Sequence, residues 1–75
     1  MTKTAPKTEF KTPFGEFEVI ISASGMISID KVNEVSGELH NVWHNPSVYE
    51  YVDKNNIKSL TTLGLLYYLH DNGII

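Results

Sequence analysis

The chain of 75 residues contains no cysteine and no arginine. Without cysteine there is no disulfide, no thiolate zinc site and no thiol nucleophile, and the redox compartment leaves no mark. Without arginine, the bidentate contacts by which most DNA readers grip phosphate and guanine are missing. No apolar run approaches the roughly 20 residues of a membrane span. The glycines at 15, 25, 37, 64 and 73 each stand alone, so there is no glycine-rich phosphate loop. Residues 1–8 lack the apolar stretch of a secretory signal, and an intracellular, cytoplasmic protein is the expectation. There is no internal repeat.

What is present is modest in charge. Six lysines stand against nine acidic residues, a net charge of −3. This is an ordinary solubilising charge, too small for an acidic mimic of DNA. The lysines at 3, 7, 11, 31, 54 and 58 form no run. A chain of this length makes one domain with one small core. At this size apolar burial and chain entropy nearly cancel, so dimerisation or a partner is a natural source of added stability.

Residues 1–8 read as a flexible tail of threonine, lysine and proline, followed by a single domain over 9–75. Phe17, Val19 and Ile21 alternate with Glu16, Glu18 and Ser22, the period-2 pattern of a half-buried strand. Pro13-Phe14-Gly15 signals a turn, which makes residues 8–12 and 16–22 a hairpin. Ala23-Ser24-Gly25 is a second turn, and residues 26–29 read as a short third strand. Ile29, Val32 and Val35 recur every three residues before Gly37, which suggests a two-turn helix over 29–36 with Ser28 as its cap. Residues 37–45 read as a polar connection. Asn45-Pro46 suggests a helix start, Asn as N-cap and Pro at the first helical position. The expected fold is therefore α+β: a small antiparallel β-hairpin or three-stranded sheet over about 9–29, then two short helices and a longer C-terminal helix over about 58–72.

That last helix organises the rest. At 100° per residue, Leu60, Leu63, Leu66, Tyr67 and His70 fall within about 100°, the stripe width of a core-facing helix. Leu65, Tyr68 and Leu69 fall on the other side, extended by Thr61 and Thr62. Two readings stay open. Either sheet and preceding helix cover both faces inside the domain, or the second face docks a partner or a second copy. Asn72-Gly73 followed by Ile74 suggests a Schellman-type stop.

No catalytic set emerges. His40 and His44 are four apart, with His70 as a third conceivable metal ligand, but the helix start at Asn45-Pro46 argues against a shared face. No pair of carboxylates converges in sequence. The serines suit turns and caps rather than a nucleophile elbow. The expectation is no enzyme, no cofactor and no metal. Trp43, Tyr49, Tyr51, Tyr67 and Tyr68 form either core plugs or an interface, since aromatics anchor protein interfaces. Base stacking lacks a basic groove to support it.

Residues 14–20 (Phe-Gly-Glu-Phe-Glu-Val-Ile), Ser24-Gly25, Ile29-Asp30-Lys31-Val32, Val35-Ser36-Gly37, Asn41, Tyr51-Val52-Asp53 and Leu63-Gly64 together resemble the Bro-N domain of phage and viral antirepressors. Residues 25–32, Trp43 and residues 45–52 are similar to the related KilA-N domain. The resemblance spans roughly residues 14–64. It implies a small α+β module of phage or viral origin that binds DNA and controls genes. The chain departs from the pattern at Glu18, where a basic residue is usual, and at Met26 and Ile27, where an aromatic pair is usual. No residue is carried over as a DNA contact.

The expected function is that of a small non-catalytic regulator or inhibitor that binds and occludes a protein partner. The candidate protein-binding residues are Trp43, Tyr49, Tyr51, Leu65, Tyr68 and Leu69, with homodimerisation through the last helix as a variant. The alternative is the DNA-binding module that the resemblance implies. A structural subunit of a larger assembly is a third class.

Overall fold

A computed structural model describes residues 7–58 and 61–75. Strand β1 (Lys7–Thr12) turns at Pro13-Phe14 into β2 (Gly15–Ile21), which turns again into β3 (Ile27–Val32) and β4 (Leu39–Asn45). The four strands form one antiparallel sheet in chain order. Two helices follow, α1 (Val48–Lys54) and α2 (Thr62–Asp71). The α+β class is as the sequence indicates, and so is the first hairpin, whose register pairs Phe10 with Phe17 and Thr12 with Gly15.

Two expectations are corrected. Residues 29–36 are not a helix: Ile29 to Val32 belong to β3, and the chain then turns. Asn33 organises that turn. Its side-chain Oδ1 accepts from the backbone N–H of Val35 at 2.8 Å and of Ser36 at 2.9 Å. Its own backbone N–H donates to Glu38 O at 2.8 Å. Gly37, at φ 75°, supplies the left-handed residue of a hairpin rather than a helix stop. The three-residue spacing misleads because Val35, which completes it, is almost wholly exposed at the turn. Residues 37–45 are likewise not a mere connection, since β4 occupies most of them. Ile29 faces Trp43 while Asp30 faces Asn41, so Val42 is an extra residue that bulges β4. Both Val42 and Trp43 thereby pack against the core.

The helix ends follow local chemistry. The N-cap of α1 is Ser47, not Asn45, and its hydroxyl accepts from Glu50 N–H at 3.3 Å. Asn45 acts one step earlier, its Oδ1 accepting from Ser47 N–H at 2.9 Å. Asn56, at φ 54°, closes α1, with Ile57 N–H donating to Val52 O at 3.0 Å. Helix α2 begins later than the expected residue 58, of which residues 59 and 60 lie outside the described residues. Thr61 caps it, its Oγ1 accepting from Gly64 N–H at 3.1 Å. The Schellman stop is as the sequence suggests: Ile74 N–H donates to Leu69 O at 2.8 Å and Gly73 N–H to His70 O at 3.0 Å.

The core lies on one face of the sheet. Phe17, Val19, Ile27 and Ile29 meet Val48 of α1 and Leu65, Leu66 and Leu69 of α2. Each of these side chains contributes about 1.5–3 kcal/mol on burial. The opposite face of the sheet carries the intervening residues, and no described element packs on it.

Candidate binding surfaces

Helix α2 turns its seam, not either expected face, toward the sheet. Leu66 and Leu69 are fully buried and Leu65 nearly so. Leu66 belongs to one of the two apolar faces read from the sequence, and Leu65 and Leu69 to the other. Leu65 and Leu69 are thus core residues, and their reading as partner contacts is corrected. Tyr68 is half-buried against the same core. The residues left outside are Leu63 and Tyr67, 39% and 41% exposed, which the sequence reading places inward. They lie one turn apart on α2, and Tyr67 looks toward the first hairpin.

There Phe14 meets Tyr67 from the β1–β2 turn. Its ring stacks on His70 at 4.0 Å between centroids with 11° between the planes, and meets Tyr67 edge-on at 5.2 Å. Phe14 also leans on Phe17 at 5.6 Å. Tyr67, Phe14 and His70 make an aromatic ledge that leans on the core at Phe17, with Leu63 exposed one turn before Tyr67 on the same helix.

On the other flank, Trp43 of β4 meets Tyr51 of α1 edge-on at 4.9 Å. Both are half-buried and pack on the core, so they serve the fold more than a partner. Burial pushes the Tyr51 phenol above its ordinary pKa, with a smaller contribution from Tyr68. Tyr49 differs: it is 69% exposed. Its ring lies over Gly25, where an added Cβ would come within 2.8 Å of the ring. Beside it, Ile21, Val48, Val52, Ile57 and Leu65 line a groove of about 390 Å³ between α1 and α2, with Asp53 at its edge.

The uncovered sheet face holds a pattern that sequence reasoning missed. Register places Glu9 opposite Glu18, and Glu18 opposite Asp30, so three carboxylates line up across three strands. Glu18 is only 8% exposed. The Lys7 ammonium lies 2.8 Å from its Oε1. Among the described residues, that ion pair is the one contact shown for an oxygen that is otherwise buried. Lys7 is held above its ordinary pKa chiefly by Glu18, with Glu9 adding to the effect. Asp30 is engaged from the far side, where Asn41 Nδ2 donates to its Oδ1 at 3.1 Å and to Ser28 Oγ at 2.9 Å. The alternation of Glu16 and Glu18 marks their face in sequence. Only the strand register, set by the two turns, reveals that Glu9 and Asp30 join them.

The histidines do not gather. His40 stands opposite Lys31 and His44 opposite Ser28, on opposite faces of the sheet because neighbouring positions alternate and the bulge adds one. Among the described residues, no three His, Asp or Glu side chains are placed to hold a metal ion. Nor is any described helix long and apolar enough to cross a membrane. Comparison with protein-family models, with curated proteins and with solved structures found no match for this chain.

Proposed function

We propose that this protein is a small non-catalytic regulator or inhibitor that binds a protein partner and occludes part of its surface, with the ledge on α2 as the docking face. One observation carries the reading. Leu63 and Tyr67 stay about two-fifths exposed on a helix whose other apolar residues already fill the core. Aromatic side chains packed against neighbours concentrate binding energy at interfaces, and Tyr67 meets Phe14, which is itself stacked on His70. Tyr49, on α1, is a second exposed aromatic, on a separate flank.

The carboxylates of the sheet favour this reading over catalysis. Glu18 is engaged by Lys7 and Asp30 by Asn41, so each already serves as an acceptor. They also count against the DNA-binding alternative that the Bro-N and KilA-N resemblance implies. The broad uncovered face would present carboxylates to phosphates. Lys7 is taken by Glu18, and Lys31 lies over the Phe17 ring at 5.9 Å. A duplex binder would show affinity falling steeply with salt.

The test is affinity capture from a host lysate with the wild-type chain and with a Leu63→Ser/Tyr67→Ser variant side by side. A stoichiometric protein retained by the wild type and lost by the folded variant supports the reading. Equal retention by both overturns it.

A further inference from the structure

The sheet has two edges, and they differ. On β4 the extra residue Val42 bulges the strand, a device that keeps an edge from pairing. On β1 the ladder to β2 runs from Lys7 to Thr12 without interruption, so its outer side is as regular as its inner one. Among the described residues no backbone group bonds to that outer side.

The turn decides which backbone groups of β1 face outward. An antiparallel ladder alternates pairs that exchange both hydrogen bonds with pairs that exchange none. Thr12 pairs with Gly15 across Pro13 and Phe14. Were that pair bond-free, the next bond would need the N–H of residue 13, which proline lacks. Thr12 and Gly15 therefore exchange both bonds. Phe10 and Thr8 face β2 in the same way, while Lys7, Glu9 and Lys11 turn their N–H and C=O groups outward.

This edge is complementary to itself in one register. Outward residues of an antiparallel second copy must meet outward residues, so each register is centred on a single residue. Centred on Phe10, Glu9 of each copy meets Lys11 of the other, and Thr8 meets Thr12. The two Phe10 side chains form a bond-free pair, where side chains come closest. Opposite charges, threonine pairs and aromatic pairs across strands all stabilise a sheet. Centred on Glu9, the edge sets Glu9 against Glu9 and Lys7 against Lys11, both repulsive. Centred on Thr8, it needs Lys7, which Glu18 already holds at 2.8 Å. Lysine on an edge ordinarily deters pairing; here it selects a register.

The register also supplies what the single copy lacks. Glu9 stands directly opposite Glu18, a repulsive placement. Among the described residues neither Glu9 nor Lys11 makes an ion pair. Phe10 packs against the core on one side only and stays half-buried.

We propose that the outer edge of β1 binds a second copy of this chain, antiparallel and centred on Phe10. The four strands of each copy join into one continuous sheet, by the strand addition that exposed edges permit. The two-fold axis passes between the Phe10 residues, perpendicular to the sheet, and leaves the helices of both copies on the same face. The surface is the β1 edge rather than α2, so it stands or falls independently of the ledge.

The test is sedimentation equilibrium of the full chain from about 10 μM to about 1 mM, the weak limit of useful affinity. The variants are Glu9→Lys and Lys11→Glu, each alone and then mixed in equal parts, with circular dichroism to verify their fold. The wild type is expected to dimerise in that range. Each variant alone sets like charges opposite one another and is expected to self-associate at least about tenfold more weakly. The mixture restores opposite charges at both positions and is expected to recover the wild-type affinity. Glu9→Lys brings the net charge of −3 nearer zero and Lys11→Glu takes it further away, so net charge alone would move the two variants in opposite directions. A wild type that stays monomeric at about 1 mM overturns the proposal. So does a dimer that Lys11→Glu leaves intact, or a mixture as weak as its components.

Discussion

Lys7 and Glu18 form an unequal pair: the lysine side chain is 53% exposed and the carboxylate side chain 10%, with 2.8 Å between Nζ and Oε1. Removing one partner of a pair with a buried member leaves an uncompensated charge, whereas replacing both with apolar groups of similar volume is often neutral or stabilising. Lys7→Met is therefore expected to lower the thermal midpoint. Lys7→Met combined with Glu18→Met is expected to restore it to the wild-type value or above. A single variant as stable as the wild type would show that Glu18 is solvated enough to stand alone.

The same pair and Tyr51 each make stability depend on pH in the alkaline range. Glu18 holds the Lys7 ammonium above its ordinary value of 10.5, and burial holds the Tyr51 phenol above 10.0. In both cases the native state keeps its proton longer than the unfolded chain does. Stability from either group is thus complete below its unfolded value and lost as pH rises through its folded value. Denaturation midpoints should fall as pH climbs above about 10. Tyr51→Phe, which keeps the ring and removes the ionisation, should fall less steeply. An unchanged slope in Tyr51→Phe would remove Tyr51 from the explanation.

Gly25 sits at φ 94° beneath the Tyr49 ring, and its carbonyl accepts from Val48 N–H at 2.7 Å. An alanine there meets both the left-handed penalty of roughly 1–2 kcal/mol and the aromatic ring. Gly25→Ala is expected to destabilise by at least that amount. Tyr49→Ala, which clears the ring, should recover the steric part when combined with it. Strict additivity of the two changes would mean that ring and backbone do not compete.

Much of this architecture is legible in the residues. The alternation from Glu16 to Ser22 and the turn residues around Phe14 and Gly25 place the first two strands and the beginning of the third. Asn72-Gly73-Ile74 marks the end of α2 down to its hydrogen bonds. The fourth strand is hidden because His40, Asn41, His44 and Asn45 have little strand preference. Its place comes from pairing with β3 and from the bulge at Val42. The helix expected over 29–36 fails because Ile29 and Val32 fit either period, and Asn33 decides between them through an Asx turn.

The candidate site is legible in part. Sequence shows that the last helix carries more apolar surface than one contact needs, but not its rotation. The sheet meets α2 at Leu65, Leu66 and Leu69, on the seam between the two faces. That choice depends on where α1 and the first hairpin stand, which no helical wheel contains. The carboxylate row is invisible for the same reason, because cross-strand neighbours are remote in sequence.

The rotation of α2 is the claim on which the docking surface rests, and chemical denaturation of two matched variants tests it most directly. Leu69 is fully buried and Leu63 is 39% exposed on the same helix. Leu69→Ala is expected to lose about 2–5 kcal/mol. Leu63→Ala, largely at the surface, is expected to stay within roughly 1 kcal/mol of the wild type. The reverse order, or equal large losses, would mean that α2 presents a different face to the sheet and that the ledge is not free to bind.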